Sequence, residues 1–197
     1  MTEKTKWSID PAHSEIAFKI KHLMISNVRG IFRKFDGDIS TSAPDFTTAG
    51  IEVWIDTSSI DTGSEKRDEH LRSSEFFDAS TYKQITFSGG TLKKSAKNAK
   101  LELSGTLTIK DISKKIQLEA AYGGKVKDPW GNEKVGFTVT GKINRKDWGL
   151  NWNASLESGG FMVGDEVEIN CEIQLIKANK PEMEMRSENL HNEDVAV

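Results

Sequence analysis

Leu101-Glu102-Leu103-Ser104-Gly105-Thr106-Leu107-Thr108-Ile109 alternates an apolar or small residue with a polar one throughout. A period of two sends successive side chains to opposite faces of a strand, so Leu101, Leu103, Gly105, Leu107 and Ile109 form a dry face and the rest a wet one. The same alternation recurs at Ile16, Phe18 and Ile20; at Ile51, Val53 and Ile55; at Ile85 and Phe87; and at Ile116, Leu118, Ala120 and Tyr122. It returns at Val135, Phe137, Val139 and Ile143, and at Val167, Ile169, Cys171, Ile173 and Leu175. A less regular eighth strand is expected over residues 28–39, on Ile31, Phe35 and Ile39. Strands this numerous, each with one dry face, must share one interior.

Between them lie turn signals. Asp10-Pro11-Ala12-His13 suits a turn, with Asp at its first corner and Pro at its second. Gly89-Gly90 and Gly123-Gly124 are expected as breaks, and Asp128-Pro129-Trp130-Gly131-Asn132 as a hairpin connection. Residues 62–77 alone read as helix, with Thr62 and Glu65 at capping-box spacing and only a thin apolar face on Leu71. So little to bury suits a plug over one barrel end. Residues 1–6 read as a lead, 7–178 as one folded domain, and 179–197 as a polar, acidic tail.

Composition narrows the function classes. The formal net charge is only −3, and 29% of residues are charged with both signs interleaved, which offers neither a basic stripe for nucleic acid nor a polybasic membrane anchor. No run of about 18 apolar residues exists and the opening residues hold no apolar signal core, so a cytoplasmic protein without a transmembrane segment is expected. The lone Cys171 falls in phase with Ile169 and Ile173, which makes it a packing residue rather than a reactive thiol.

Eight antiparallel strands with one dry face fold as a sandwich or close into a barrel, and short sequential connections favour the barrel. An eight-stranded barrel either packs itself solid or holds one ligand. Gly89, Gly105 and Gly141 fall at inward parity, where each removes a side chain from the interior, or relieves a bend, or marks a bulge.

A family resemblance is carried by Trp7-Ser8-Ile9-Asp10-Pro11-Ala12-His13-Ser14, Lys21-His22-Leu23, Val28-Arg29-Gly30-Ile31-Phe32, Ser59-Ile60-Asp61-Thr62-Gly63, Arg67-Asp68-Glu69-His70-Leu71-Arg72 and Phe76-Phe77-Asp78. It continues through Ile85-Thr86-Phe87, Gly105-Thr106-Leu107-Thr108-Ile109, Ile143-Asn144-Arg145, Asp147-Trp148-Gly149-Leu150 and Val163-Gly164-Asp165-Glu166-Val167. In this order the segments resemble the YceI-like family of polyisoprenoid-binding proteins. The chain departs from that pattern at Ile109-Lys110-Asp111-Ile112-Ser113-Lys114-Lys115, where the family keeps a Gly and a later Pro; the change falls at a strand junction and alters a turn. The resemblance implies an elongated, lipocalin-like antiparallel barrel with an isoprenoid or other long-chain amphiphile in its lumen, commonly as a homodimer.

The expected lumen wall is Phe18, Ile20, Phe87, Leu103, Leu107, Leu118, Phe137, Val139 and Ile143, any of which serves equally in a solid core. Candidates for the lipid head group are His22, Arg67, His70, Arg72, Asn144 and Arg145, polar residues near strand ends or on the helix. Each has a plainer use: Arg67 and Arg72 pair with Asp68, Asp61 or Glu75, and Asn144 holds a turn. Three rivals stand beside lipid binding. Asp10, His13 and Ser14 supply the residue types of a hydrolytic triad, but no nucleophile elbow, phosphate loop or dinucleotide fingerprint accompanies them. His13, His22 and His70 would suit a metal if they converged. Trp54, out of phase with Val53 and Ile55, should face outward and suit a dimer or another protein contact. The sequence therefore favours non-catalytic binding, carriage or storage of a lipid, with no catalytic residue, metal or cofactor beyond that lipid.

Overall fold

The computed structural model of the chain describes residues 4–95, 100–155 and 159–178. The tail assigned to 179–197 lies outside them. Eight long strands follow one another as a closed antiparallel meander. The first three are each broken once, as β1 (Thr5–Ile9) with β2 (Glu15–His22), β3 (Ser26–Phe32) with β4 (Phe35–Thr41), and β5 (Gly50–Asp56) with β6 (Ile60–Asp61). β7 (Gln84–Lys94), β8 (Leu101–Ile109), β9 (Ile112–Lys127), β10 (Glu133–Asn144) and β11 (Val163–Lys177) complete the series. β11 closes the barrel on the first strand, pairing its start with β2 and its end with β1 through Leu175↔Ile9 and Lys177↔Trp7. This is the eight-stranded barrel that the alternation predicts.

The breaks have local causes. Pro11 has no N–H for the ladder, and residues 11–13 form a 3₁₀ turn whose cap, Asp10, accepts from the Ala12 amide at 3.2 Å. β1 escapes the sequence reading because its Trp7 and Ile9 are too short a run to show a period. The strand expected over 28–39 is two strands that part at Arg33-Lys34. β8 turns into β9 through Lys110 and Asp111 alone, with Lys110 at φ 57, so the departure from the family pattern does fall on a turn.

Both expected glycine breaks prove to be bulges inside strands. The β5–β7 and β7–β8 registers shift around Gly89-Gly90, and the β9–β10 register shifts at Gly136/Phe137, opposite Gly123-Gly124. The extra residue also corrects the parity of Gly89, which has φ 63 and faces open space, while Gly90 takes the place against the Phe87 ring. Gly105 and Gly141 do sit under inward side chains. A Cβ on Gly105 would lie 2.3 Å from Phe87 Cζ, and one on Gly141 2.3 Å from Leu118 Cδ2. These glycines receive neighbouring side chains rather than leave hollows.

The helix α1 (Glu65–Arg72) is half the length expected over 62–77 and lies near one barrel end. Ser64 is its cap residue, and the capping box between Thr62 and Glu65 does not form. The Thr62 amide instead donates to Asp68 Oδ1 at 3.0 Å, with the Thr62 hydroxyl on the same oxygen. Asp68 is buried as a result. Past Ser73 the chain turns irregularly, Asp78 at φ 48, and folds Phe76 inward. Among the described residues no helix is long and apolar enough to cross a membrane.

Candidate functional site: an apolar lumen with a cationic mouth

The barrel interior encloses a cavity of about 640 Å³. All nine side chains proposed for the wall border it, from Phe18 and Ile20 on β2 to Phe137, Val139 and Ile143 on β10. They reach it because each strand alternates and the barrel has a single inside. A cavity of 150 Å³ lined by Leu, Ile and Phe holds one benzene, and in that ratio the lumen has room for about 25 carbon atoms. Its volume lies within the range of about 300–1,000 Å³ usual for small-molecule sites.

The two ends differ. At the end of β1, β4 and β11, Phe46 comes from the connection between β4 and β5 and is buried over the lumen floor. Its ring stands 5.4 Å from Trp7 and 5.3 Å edge-on to Phe137. Sequence reasoning misses Phe46, because it sits in an aperiodic loop with φ 61. The opposite end is the mouth, bordered by Lys21 and His22 of β2, by Ser64, Lys66, Arg67 and His70 around α1, and by Met162 and Val163. Phe76 and Trp152 lean on the His70 ring with centroids at 5.0 and 4.7 Å. Lys21, Lys66, Trp152 and Met162 also go unforeseen, the lysines because alternation and helix charge assign them to solvent, the others because loops show no period.

The head-group candidates divide. His22 borders the cavity at the end of β2. Arg67 borders it while its Nε and Nη2 donate to the Thr62 hydroxyl and carbonyl at 2.7 and 2.8 Å, not to Asp68 or Asp61. His70 borders it with Nε2 2.6 Å from Glu75 Oε2. Arg72 lies away from the lumen, tied to Glu65 at 3.0 Å and to the carbonyls of Ser58 and Ile60. Asn144 caps a 3₁₀ turn over Arg145–Trp148, its Oδ1 accepting from the Lys146 amide, and lies off the cavity. Arg145 borders the cavity but is only 3% exposed, and its donors hold the connection after β10: Nε to the Gly164 carbonyl at 2.8 Å, Nη1 to the Leu150 and Trp152 carbonyls. Burial lowers its pKa, partly offset by Asp165 at 3.6 Å.

The rival residues are accounted for as well. His13 Nδ1 meets Asp10 Oδ2 at 2.9 Å, but the Ser14 hydroxyl accepts from the Gln174 amide and donates to its carbonyl. Asp10 also accepts from Gln174 Nε2 at 3.0 Å and Lys134 Nζ at 3.2 Å, so the set ties β1, β10 and β11 together. Burial acts to raise the Asp10 pKa, but the hydrogen bonds from His13, Lys134 and Gln174 outweigh it and the net shift is downward. Among the described residues no three His, Cys, Asp or Glu side chains gather as metal ligands. Cys171 is buried, and desolvation pushes its thiol up to about 11.

A UPF0312 protein of Staphylococcus aureus is 39% identical over 168 residues, covering 85% of this chain and 95% of that protein. A crystal structure of a Campylobacter jejuni YCEI protein is 34% identical with a TM-score of 0.66, covering 82% of this chain and 91% of that one. A polyisoprenoid binding domain from Saccharophagus degradans shares the fold alone, with 18% identity and a TM-score of 0.62 over 87% of this chain and 98% of that one. The family model described as YceI-like domain matches residues 7–175, all eight strands included, and the chain belongs to that family.

Proposed function

We propose that the protein binds one isoprenoid or other long-chain amphiphile in its lumen and carries or stores it without transforming it. The observation that carries this reading is the lumen itself: about 640 Å³, walled by apolar side chains and closed at its floor by Phe46. Each methylene moved from water into it contributes about 0.8 kcal/mol. Among the described residues every charged side chain on its border, Lys21, Lys66, Arg67 and Arg145, is cationic, which suits a ligand with an anionic head. The same fold in a polyisoprenoid binding domain agrees with this assignment. The wall residues would hold the chain, and His22, Arg67 and His70 the head. Arg145 supports the mouth from behind, and Arg72 and Asn144 have no part in it.

The solid-barrel alternative, an interaction protein, loses support to the cavity. We further propose a cytoplasmic homodimer that uses the outward Trp54 of β5, 41% exposed, as its anchor. Sedimentation that stays monomeric at rising concentration removes the dimer. Native mass spectrometry of protein purified from cells, followed by organic extraction, tests the main reading. A reproducible mass increment that extracts as a long-chain amphiphile is expected. A bare mass, together with failure of added isoprenoid lipids to bind, refutes it.

A further inference from the structure

The mouth end carries apolar side chains that the fold does not bury. Met24 and Ile25, at the tip of the β2–β3 hairpin, are 59% and 83% exposed, and Phe161 beside them is 55% exposed. The tip is held in place: the Leu23 amide donates to the Met162 carbonyl at 2.7 Å, and His22 pairs with Val163. Phe161 therefore adjoins Met162 of the lumen border, and Met24 and Ile25 follow two and three residues after His22 of that border. Leu23 and Met24 have φ 51 and 60, where a tight turn favours Gly or Asn. Bulky apolar residues in that conformation cost folding stability, and Met24 and Ile25 gain little burial in return.

The same face is cationic although the whole chain has a charge of −3. Lys21 of β2 borders the mouth, and Lys66 and Arg67 border it from α1. Of the other cations in residues 16–35, Lys19 is paired with Glu168, Arg29 with Glu15 and Arg33 with Asp61. Asp165 is engaged by Lys146 at 2.9 Å and Glu168 by Lys19 at 2.6 Å, and Lys146 stands 6.0 Å from the Phe161 ring.

We propose that the barrel docks mouth-first on an anionic membrane surface, with Met24, Ile25 and Phe161 entering the interface and Lys21, Lys66 and Arg67 meeting lipid phosphates. Exposed apolar tips ringed by cations are the combination that a negatively charged bilayer surface attracts. The contact is peripheral and reversible. The proposal rests on the lumen being a lipid site and adds the route: an apolar chain passes between bilayer and lumen without crossing water.

Flotation of the full chain with phosphatidylcholine vesicles, with and without phosphatidylglycerol, tests it. Binding is expected only to vesicles with phosphatidylglycerol, and it should weaken with salt. Ile25→Asp combined with Met24→Asp should weaken it by about tenfold or more, and Phe161→Ser should act in the same direction. These side chains are exposed, so melting temperature should not fall. Failure of the wild type to float, equal flotation without phosphatidylglycerol, or full binding by the double variant overturns the docking. Native mass spectrometry on the same samples reads lumen content separately: an empty lumen with intact, variant-sensitive flotation refutes the lipid site and leaves the docking standing.

Discussion

Gly105→Ala measures whether the lumen has room beside its wall. The added Cβ would lie 2.3 Å from Phe87 Cζ, and 2.8 and 2.9 Å from two further atoms of that ring. The ring must retreat by about 1 Å to reach ordinary contact. It has somewhere to go, because Phe87 borders the cavity. In a packed core such an insertion costs about 1–3 kcal/mol. Here the ring swings into free volume, and Ala gains about 0.5–1 kcal/mol over Gly in a strand interior. The expected net loss is at most about 1 kcal/mol, a fall of about 2–4 °C in Tm. The displaced ring also occupies the lumen, so fewer molecules of the apolar dye anilinonaphthalene sulfonate should bind at saturation. Gly37→Ala is the contrast, since its Cβ would meet the Glu52 carbonyl oxygen at 2.8 Å and Ile9 Cδ1 at 2.9 Å. That oxygen belongs to the strand paired with β4 and cannot swing aside, so the loss should reach about 3 kcal/mol. A fall of about 10 °C for Gly105→Ala with dye capacity unchanged would refute the reasoning, because the ring would then have no free space beside it.

Four further outcomes follow from individual residues. Arg145→Met should cost about 3 kcal/mol, since it leaves the Gly164, Leu150 and Trp152 carbonyls without their donor; thermal unfolding and dye binding together check whether the mouth loosens. The Cys171 thiol, raised from 9.0 to about 11 by burial, should resist a disulfide reagent in the folded protein and react once the protein is unfolded. Because the unfolded thiol ionises first, its contribution is complete below pH 9 and lost as pH rises through 11, so Cys171→Ala should flatten the alkaline arm of a Tm–pH curve. Glu133 is held down at about 2, from 4.5, first by Lys177 at 2.6 Å and then by Lys125 at 2.9 Å. Its contribution is present above 4.5 and lost as pH falls through 2, so Glu133→Gln should flatten the acid arm over that span, and an unchanged acid arm would contradict the assignment.

The candidate site was legible wherever it lies on regular strands. Phe18, Leu103, Leu118 and Val139 all reach the cavity because inward parity in a closed barrel means one place. Parity failed at Gly89, where a bulge inserts one residue and flips the face. The polar candidates fared less evenly, because whether a guanidinium meets a ligand or a carbonyl depends on where distant backbone lies. Arg145 serves the carbonyls of Leu150, Trp152 and Gly164, and Arg72 those of Ser58 and Ile60.

By itself the sequence determined the strand count, the dry face of each strand up to its bulges and the meander, since a period of two and short turns are local properties written in consecutive residues. Only the tertiary structure decided that the lumen is hollow, that Phe46 closes its floor, and that scattered cations and Met24, Ile25 and Phe161 collect at one mouth. Volume and charge grouping depend on distances between residues far apart in the chain, and no local pattern records those.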